Sequence, residues 1–418
     1  MNGRNGANAR GGPRTRKVML YSHDTYGLGH LRRNLRIAGH LLASAPDLQI
    51  VLVSGSPVAD YFPTPAGLTI VKLPSVRKVG AEQYRPLDSR LDIGLVRRTR
   101  TAIMVDVVRR FRPDVLLVDH SPAGMNGELL DVFSTLKQHS PATRLVLGLR
   151  DILDDGATVV RTWTEQQIYG LLADVYDQIV VYGSQDVFDV GSEYRLPASL
   201  GERLVYAGYI APGRPQGHSN ADGAHSEDPY LLATAGGGGD GVAVLAAAME
   251  AGAALGMATT VVAGPLVDEG AFGALHADAE KVPGVELVKF HPRLHSAMAG
   301  ATAVVTMGGY NSLCEAISAG VPTVVVPRSA PRLEQTIRAR IFAERGLVST
   351  VPAGPDLGAR VARAVHAATS PRTRRPIDLG GLDRLRSLLL GSERTGGATA
   401  PVEQQGPVPE QVAERLPA

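Results

Sequence analysis

Short apolar, β-branched runs alternate with amphipathic segments along most of the chain. In the first half, the runs KVMLYS, QIVLVSG, DVLLVD, RLVLGL and QIVVYGS predict buried strands, with helical patterns between them such as 30–44 and 91–111. In the second half, YLLATAG, ATTVVAG, VELVKF, TAVVTMG and TVVVP predict strands, and the helical patterns include 242–254 and 312–319. Nearly continuous apolar strands that alternate with helices indicate parallel sheets covered on both faces.

Polar segments rich in Gly and Pro divide this pattern into two halves. Residues 1–16 and 391–418 predict disordered tails, and residues 211–229 predict an interdomain linker. The remaining residues form an N-terminal domain (17–210) and a C-terminal domain (230–390), each of ordinary domain size. We therefore predict an α/β fold of two doubly wound, Rossmann-like domains that face a central cleft. Ligands of such sheets bind at the carboxyl ends of the strands.

Composition narrows the class of protein further. The net charge of +2 gives no whole-chain bias toward nucleic acid. The single cysteine, Cys314, excludes an internal disulfide and a cysteine-based metal cluster. No apolar run approaches the roughly 18 to 20 residues that a membrane span requires, and the basic N-terminus has no signal-peptide core. We expect a cytoplasmic protein, with at most peripheral contact at the inner membrane face.

The segment after the strand TAVVTM has the character of an anion site. The strand ends at Gly308 and Gly309, a helix is predicted to begin near Asn311 and Ser312, and Gly320 ends it. Two glycines before a helix let a ligand approach the backbone closely. The free N–H groups and the positive end of the helix dipole then favour a phosphate.

Glu315 lies one turn into the same helix. Helical side chains lean toward the amino end, so its carboxylate could reach the space beside the phosphate. A carboxylate there would repel a diphosphate, and ribose hydroxyls are the better partner. The alternative is that Ser312 and Glu315 form a capping box, which would explain both residues without a ligand.

The order of these motifs resembles the donor-binding signature of inverting glycosyltransferases with two Rossmann-like domains, the GT-B architecture. The groups concerned are glycosyltransferase family 28, with the lipid II-forming N-acetylglucosaminyltransferase and the galactolipid synthases, and the plant secondary-metabolite glycosyltransferases. The resemblance covers residues 17 to about 370 in layout and is specific in motif from about 230 to 340. The matching residues are Phe290-His291-Pro292, Gly309-Tyr310-Asn311-Ser312, Glu315, Gly320-Val321-Pro322, Pro327 and Glu334-Gln335.

This resemblance implies a role for each matching residue in binding a nucleotide-sugar donor. It places Phe290 against a uracil ring, His291 at the edge of the base, Gly308, Gly309, Asn311 and Ser312 around the diphosphate, Glu315 on the ribose, and Glu334 with Gln335 on the sugar hydroxyls. Plant relatives carry histidine and retaining relatives carry glutamate at the position of Met307. Because methionine can do neither task, the resemblance favours the inverting class.

The run AGGGGDG at residues 235–241 follows the strand YLLATA and precedes a predicted helix. It resembles the Gly-rich loop that faces the donor in family 28, and we assign Gly237 and Gly238 to the donor site on that basis. Taken alone, such a run is equally consistent with a flexible turn.

A second Gly-rich loop follows the first strand. Gly27 and Gly29 precede a helix that begins near His30. This resembles the first Gly-rich loop of family 28, with leucine in place of one glycine, and implies that Gly29 faces the donor and His30 is the catalytic base. Alternatives for His30 are contact with an acceptor phosphate and a packing or capping role. His23 and Asp24 are rivals in the same loop.

Two polar pairs lie at the carboxyl ends of other strands. Asp119 and His120 follow DVLLV, and Arg150 and Asp151 follow RLVLGL, so both pairs should face the cleft. Asp119 could orient a histidine, act as the base itself, or merely cap the next turn.

We therefore predict an inverting, metal-independent glycosyltransferase that moves a sugar from a nucleoside diphosphate, with UDP expected, to an acceptor hydroxyl. No cofactor, metal site or nucleic-acid partner is expected. The acceptor could be lipid-linked or a small molecule, and the basic clusters at 32–36, 97–100 and 109–112 could approach a membrane or form solvated helix faces. Alternatives are a UDP-sugar 2-epimerase of the same fold and a non-catalytic scaffold that binds nucleotide sugars.

Overall fold

A computed structural model describes residues 16–24, 28–80, 83–213, 229–237, 239–370 and 373–391. Nearly all of the two predicted tails and most of the predicted linker lie outside these residues.

The first sheet consists of seven parallel strands in the order β3-β2-β1-β6-β7-β8-β9. Four strands were not predicted from the sequence: the edge strands β3 and β9, and a separate antiparallel pair, β4 and β5, that precedes the second helix. The strands of this domain are β1 (Lys17–Ser22), β2 (Gln49–Ser54), β3 (Leu68–Lys72), β4 (Val76–Gly80), β5 (Gln83–Pro86), β6 (Val115–Asp119), β7 (Arg144–Arg150), β8 (Gln178–Tyr182) and β9 (Leu204–Tyr206).

Helices cover both faces of this sheet, as the apolar character of its strands predicts. The predicted helices at 30–44 and 91–111 are confirmed within two residues at each end. The helices are α1 (Gly29–Ser44), α2 (Ile93–Phe111), α3 (Leu130–His139), α4 (Gly156–Glu165), α5 (Ile168–Asp174) and α6 (Val190–Glu193).

The second sheet has six parallel strands in the order β12-β11-β10-β13-β14-β15. All of its predicted strands are present, and the two-residue edge strand β15 is added. The strands are β10 (Tyr230–Thr234), β11 (Ala258–Val262), β12 (Val285–Val288), β13 (Ala303–Thr306), β14 (Thr323–Val325) and β15 (Ser349–Thr350). The helices are α7 (Val242–Leu255), α8 (Glu269–Ala279), α9 (Leu294–Gly300), α10 (Tyr310–Ala319), α11 (Glu334–Glu344), α12 (Leu357–Ala368) and α13 (Gly381–Leu390).

The last helix, α13, returns to the first domain, although the predicted boundaries place it in the second. Its Leu385 and Leu389 belong to the same apolar core as Leu31 of α1. The chain is also fastened there by a 3.1 Å hydrogen bond from Arg144 Nη1 to the carbonyl of Leu388.

That core is continuous across the two domains. It also contains buried residues of α10 and α11, among them Leu313 and Phe342. Burial of apolar surface on both sides of the cleft holds the sheets with their carboxyl ends facing each other. No helix among the described residues has the length and apolarity needed to cross a membrane.

Candidate active site

A cavity of about 870 Å³ lies where the carboxyl ends of the two sheets meet. From the first domain it is lined by the starts of α1 and α4 and by loops after β6 and β7. From the second domain it is lined by the Gly-rich loop after β10 and the starts of α10 and α11. The predicted cleft therefore exists, and its volume is sufficient for a substrate-sized ligand.

His30 and Asp119, predicted separately, meet in this cavity. His30 Nδ1 lies 2.6 Å from Asp119 Oδ2. Arg33 Nη2 also lies 3.0 Å from this nitrogen, but the shorter contact is with the carboxylate, which can only accept, so Nδ1 carries the proton and Nε2 is left as the basic nitrogen. Burial lowers the pKa of His30, although Asp119 opposes this effect, and the imidazole is neutral near pH 7. Asp119 thus orients the histidine, which is one of the roles considered for it.

Arg33 completes this arrangement and was not predicted as part of the site. It is 1% exposed, and its Nη2 donates to both carboxylate oxygens of Asp119 at 2.6 and 2.7 Å. Burial would raise the pKa of Asp119, but Arg33 and His30 outweigh it and hold this pKa at about 2. The guanidinium also lies 5.6 Å from the ring centroid of Tyr310, so Arg33 links the histidine to α10.

The rivals of His30 occupy different surroundings. His23 reaches the cavity, but its ring nitrogens lie 3.2 Å from the hydroxyl of Tyr21 and 3.4 Å from that of Tyr84. Asp24 is buried and accepts a 2.6 Å hydrogen bond from Ser54 Oγ. Of these groups, His30 has the partner that a general base requires.

The amino end of α10 contributes to the cavity from the second domain. The helix begins at Tyr310, with Gly309 as the N-cap residue, so it starts slightly before the predicted position near Asn311. Gly309, Asn311 and Ser312 line the cavity. The N–H groups of the first turn have no acceptor within the helix, because its first internal bond runs from Leu313 N to the carbonyl of Gly309.

The N-terminal domain contacts this helix end directly. Asn311 Nδ2 donates a 2.7 Å hydrogen bond to the carbonyl of Gly29, another cavity residue. Asn311 Oδ1 is buried with no hydrogen-bond partner within the described part of the chain. The two predicted Gly-rich helix starts therefore lie side by side.

The remaining predicted glycines have different positions. Gly237 lines the cavity, whereas Gly238 lies outside the described residues. Gly308 does not line the cavity. It has a φ of 88°, and a Cβ there would lie 2.9 Å from Val325, so glycine is needed for the turn into α10.

Glu315 is placed differently from its predicted position at a ribose. It is fully buried and does not line the cavity. Its Oε1 accepts hydrogen bonds of 2.6 Å from Arg32 and 2.5 Å from Arg36, both on α1. Burial would raise the pKa of Glu315, but the two arginines outweigh it and lower that pKa. The alternative capping box is also wrong, because α10 has no side-chain cap.

Glu334 and Gln335 do line the cavity, at the start of α11. Glu334 lies 2.8 Å from Nη2 of Arg150, which belongs to the first domain. Gln335 Oε1 accepts from the backbone N of Arg328 at 3.3 Å. Both side chains are thus in the predicted region, and Glu334 already has a cationic partner.

Phe290 and His291 do not line the cavity. Phe290 packs edge-on against Phe62 of the first domain, with 5.6 Å between ring centroids. His291 is half-buried. The structure therefore does not bring the predicted base-binding pair to the space occupied by the other residues.

Ion pairs between the domains were not predicted. Arg338 of α11 donates to Asp151 Oδ1 at 2.7 Å, and both side chains are 1% exposed. The basic clusters that we considered as solvated or membrane-facing are partly buried as well. Arg100 is fully buried and pairs with Glu128 at 2.6 Å. The sequence around a basic residue of an amphipathic helix does not show its ion-pair partner when that partner is distant along the chain. These ion pairs could therefore not be predicted.

Two parallel sheets that face each other across this cavity define the GT-B architecture. Solved structures confirm the fold. The calicheamicin glycosyltransferase CalG4 is 18% identical, with a TM-score of 0.55 over 90% of this chain and 94% of that one. UDP-glucose:anthocyanidin 3-O-glucosyltransferase in complex with UDP is 14% identical, with a TM-score of 0.54 over 91% and 100%. MurG of Acinetobacter baumannii is 14% identical, with a TM-score of 0.51 over 90% and 100%.

The family model for the glycosyltransferase family 28 C-terminal domain matches residues 266–374. This segment contains the start of α10, and the match confirms the predicted resemblance. The chain thus has the GT-B fold and is identified as a glycosyltransferase, and its residues 266–374 are similar to the family 28 C-terminal domain. No curated protein matches it in sequence.

Proposed function

We propose that this glycosyltransferase moves a sugar from a nucleoside diphosphate to an acceptor hydroxyl with inversion, and that UDP is the nucleotide. The observation that carries the proposal is the His30–Asp119 pair, 2.6 Å apart, in the same cavity as the amino end of α10. A base and an anion site that line one cavity, each from a different domain, suit a single displacement. One structural neighbour, the anthocyanidin 3-O-glucosyltransferase, is in complex with UDP, which supports this choice of nucleotide.

The reaction would begin at the acceptor. His30 Nε2 takes the hydroxyl proton as that oxygen forms a bond to the anomeric carbon, and Asp119 stabilises the imidazolium. The bond from the anomeric carbon to the phosphate oxygen breaks, and the nucleoside diphosphate leaves with the electron pair. The N–H groups and dipole of α10 stabilise the charge that develops on the leaving group.

The inverting outcome rests on the residue beside α10. Met307 lines the cavity and cannot act as a nucleophile, so no covalent glycosyl-enzyme intermediate forms there. Nuclear magnetic resonance of the product should show the opposite anomeric configuration from the donor. Retention of configuration would contradict a single displacement.

Metal-independent transfer without a cofactor is part of the same proposal. Among the described residues, no group of three or more His, Cys, Asp or Glu side chains is arranged to hold a metal ion. The charge of the leaving diphosphate would instead be balanced by the start of α10 and by cavity arginines such as Arg328. Turnover should be unchanged in excess EDTA, and a loss that Mg²⁺ restores would contradict this part.

The proposal also includes peripheral membrane contact and an acceptor that is lipid-linked or a small molecule. Four of the five large hydrophobic side chains that are exposed in the described chain, Val79, Leu87, Leu91 and Leu95, lie within residues 79–95. Basic residues such as Arg90 lie between them. Sedimentation with vesicles of phosphatidylglycerol, but not of phosphatidylcholine, would support this contact, and no binding to either would contradict it.

The principal test is a thermal-shift screen of UDP-, TDP- and GDP-sugars, followed by mass spectrometry of products formed in cell extract. A UDP-sugar should raise the unfolding temperature most, and UDP should be released only when an acceptor is present. Release of a free epimerised sugar without an acceptor would favour a 2-epimerase instead.

A further inference from the structure

Two donor side chains beside His30 have no place in the reaction described above. His120 directly follows β6, and Arg150 ends β7, the neighbouring strand in the sheet. Both line the cavity. The rings of His30 and His120 are 5.0 Å apart between centroids. Any group held by His120 would therefore lie next to the proposed base.

One nitrogen of each of these two side chains is buried without a partner among the described residues. These atoms are His120 Nδ1 and Arg150 Nε. Arg150 forms an ion pair in which its Nη2 lies 2.8 Å from Glu334 Oε2. Because buried donors nearly always have partners, two such groups on one wall of a cavity indicate a missing ligand.

The charge around this wall determines what the ligand must be. His30, His120, Arg150 and Arg332 all line this cavity. The pKa of His120 is lowered well below its ordinary value by burial and then by the positive charge of Arg150. Burial also lowers the pKa of Arg150, with further repulsion from neighbouring arginines that include Arg332. Adding a cation or a neutral hydroxyl would leave this repulsion in place, whereas an oxyanion would relieve it.

Three carboxylates near this wall already have partners. The carboxylate of Asp119 is hydrogen-bonded to Arg33 and His30. Asp154 accepts a 2.9 Å hydrogen bond from the backbone of the α11 start. Glu334 is paired with Arg150 and comes from the opposite domain. Its carboxylate shows that the position accommodates an oxyanion.

We propose that His120 and Arg150 form an oxyanion site for the acceptor, so that the acceptor carries a phosphate or carboxylate close to the hydroxyl that is glycosylated. This inference rests on the proposed function, because His30 fixes where that hydroxyl lies. The site is on the first domain, whereas the donor diphosphate is assigned to α10 of the second. A guanidinium and an imidazole together provide the planar donors that such oxyanions prefer.

The test uses inorganic phosphate as the probe, titrated by calorimetry into the full-length protein saturated with UDP. Wild-type protein should bind phosphate in the presence of UDP. Arg150→Gln and His120→Asn should each weaken phosphate binding by at least about tenfold, the loss of one charge-assisted hydrogen bond. Asparagine is chosen because residue 120 has a φ of 73°, which asparagine tolerates. Arg109→Gln, an exposed arginine of α2, is the charge-matched control and should bind phosphate as wild type does.

Three results would overturn the inference: no phosphate binding beside bound UDP, phosphate affinity in both site variants equal to that of wild type, or displacement of phosphate by UDP. The last would assign the site to the donor. If Arg150→Gln does not fold, Arg150→Lys should still weaken phosphate because it loses the planar fork. Repeating the titration with malonate distinguishes a carboxylate from a phosphate ligand. Failure of UDP itself to bind would contradict the proposed function, and phosphate titrated into the unliganded protein would then still decide this inference.

Discussion

The starts of α1 and α10 have similar positions at the cavity, but a key side chain on each helix has partners from different domains. Each helix follows a parallel strand, with a glycine as the first residue of α1 and as the N-cap residue of α10, and each presents its amino end to the cavity. The functional residue of α1, His30, finds its partner Asp119 within its own domain. In α10, Glu315 does not line the cavity, and it finds its partners Arg32 and Arg36 across the domain boundary.

This contrast shows which half of the site depends on domain closure. The His30–Asp119 pair requires only the register of one sheet, in which β1 and β6 are neighbours. The surroundings of Glu315 require both domains to be docked. We therefore expect the catalytic pair to be present whether or not the cleft opens, and the donor side to change with closure.

The largest effect should come from His30→Ala. Loss of the general base should reduce kcat by about 100- to 10,000-fold, with little change in the Kd of UDP, because His30 acts on the acceptor. Coupled detection of UDP release and calorimetry measure the two quantities. His40→Ala, farther along α1 and paired with Asp383, is the matched control. Turnover equal to wild type would remove His30 from the chemistry.

Glu315→Gln tests the second helix start. Two arginines would lose their buried carboxylate, which should cost about 3 kcal/mol of unfolding free energy. The Kd of UDP should stay the same because Glu315 does not line the cavity. Urea unfolding measures the free energy of unfolding and calorimetry measures the Kd of UDP. Glu344→Gln, at an exposed position, is the control. UDP binding weakened tenfold at unchanged stability would restore the ribose role that the resemblance implied.

Asp119→Asn should reduce kcat on the order of 100-fold, less than the loss of the imidazole. An amide can present its NH₂ group to His30 Nδ1, which would favour the wrong tautomer and leave no negative charge for the imidazolium. Steady-state assays with thermal unfolding as a folding check provide the measurement. A variant that keeps full activity would show that His30 needs no orienting partner.

The smallest expected effect is a shift in the pH dependence of kcat/KM when Arg33 is replaced. Neutral His30 is the active form, so kcat/KM should fall as pH drops through its pKa, which burial and the nearby arginines hold below the ordinary value of 6.5. Arg33→Met removes one of those positive charges and leaves Asp119 to stabilise the imidazolium, so the ascending limb should move to higher pH. At pH 6 we expect a loss in kcat/KM of less than about tenfold relative to wild type. Arg33→Lys should shift the limb less, and an unmoved limb in Arg33→Met would leave Arg33 a purely structural role.

Local sequence was sufficient for features that depend on neighbouring residues. The strand-helix alternation predicted both sheets, and the glycine before α10 predicted a helix end at the cavity. The edge strands β15 and β9 were missed because two or three residues are too few to show a recognisable pattern of apolar positions.

What could not be predicted depends on contacts between distant segments. Arg33 looks like any basic residue of an amphipathic helix until β6 brings Asp119 to it. Likewise, Glu315 matched a ribose-binding position in one domain, but its surroundings are set by α1 of the other. Pairing between residues nearly 300 positions apart leaves no periodicity in a single sequence.

A crystal structure of the complex with UDP would decide where the donor binds. We predict that the diphosphate lies within hydrogen-bonding distance of the backbone N–H groups of Asn311 and Ser312, in the same cavity as His30. A diphosphate bound away from the amino end of α10 would contradict the proposed mechanism.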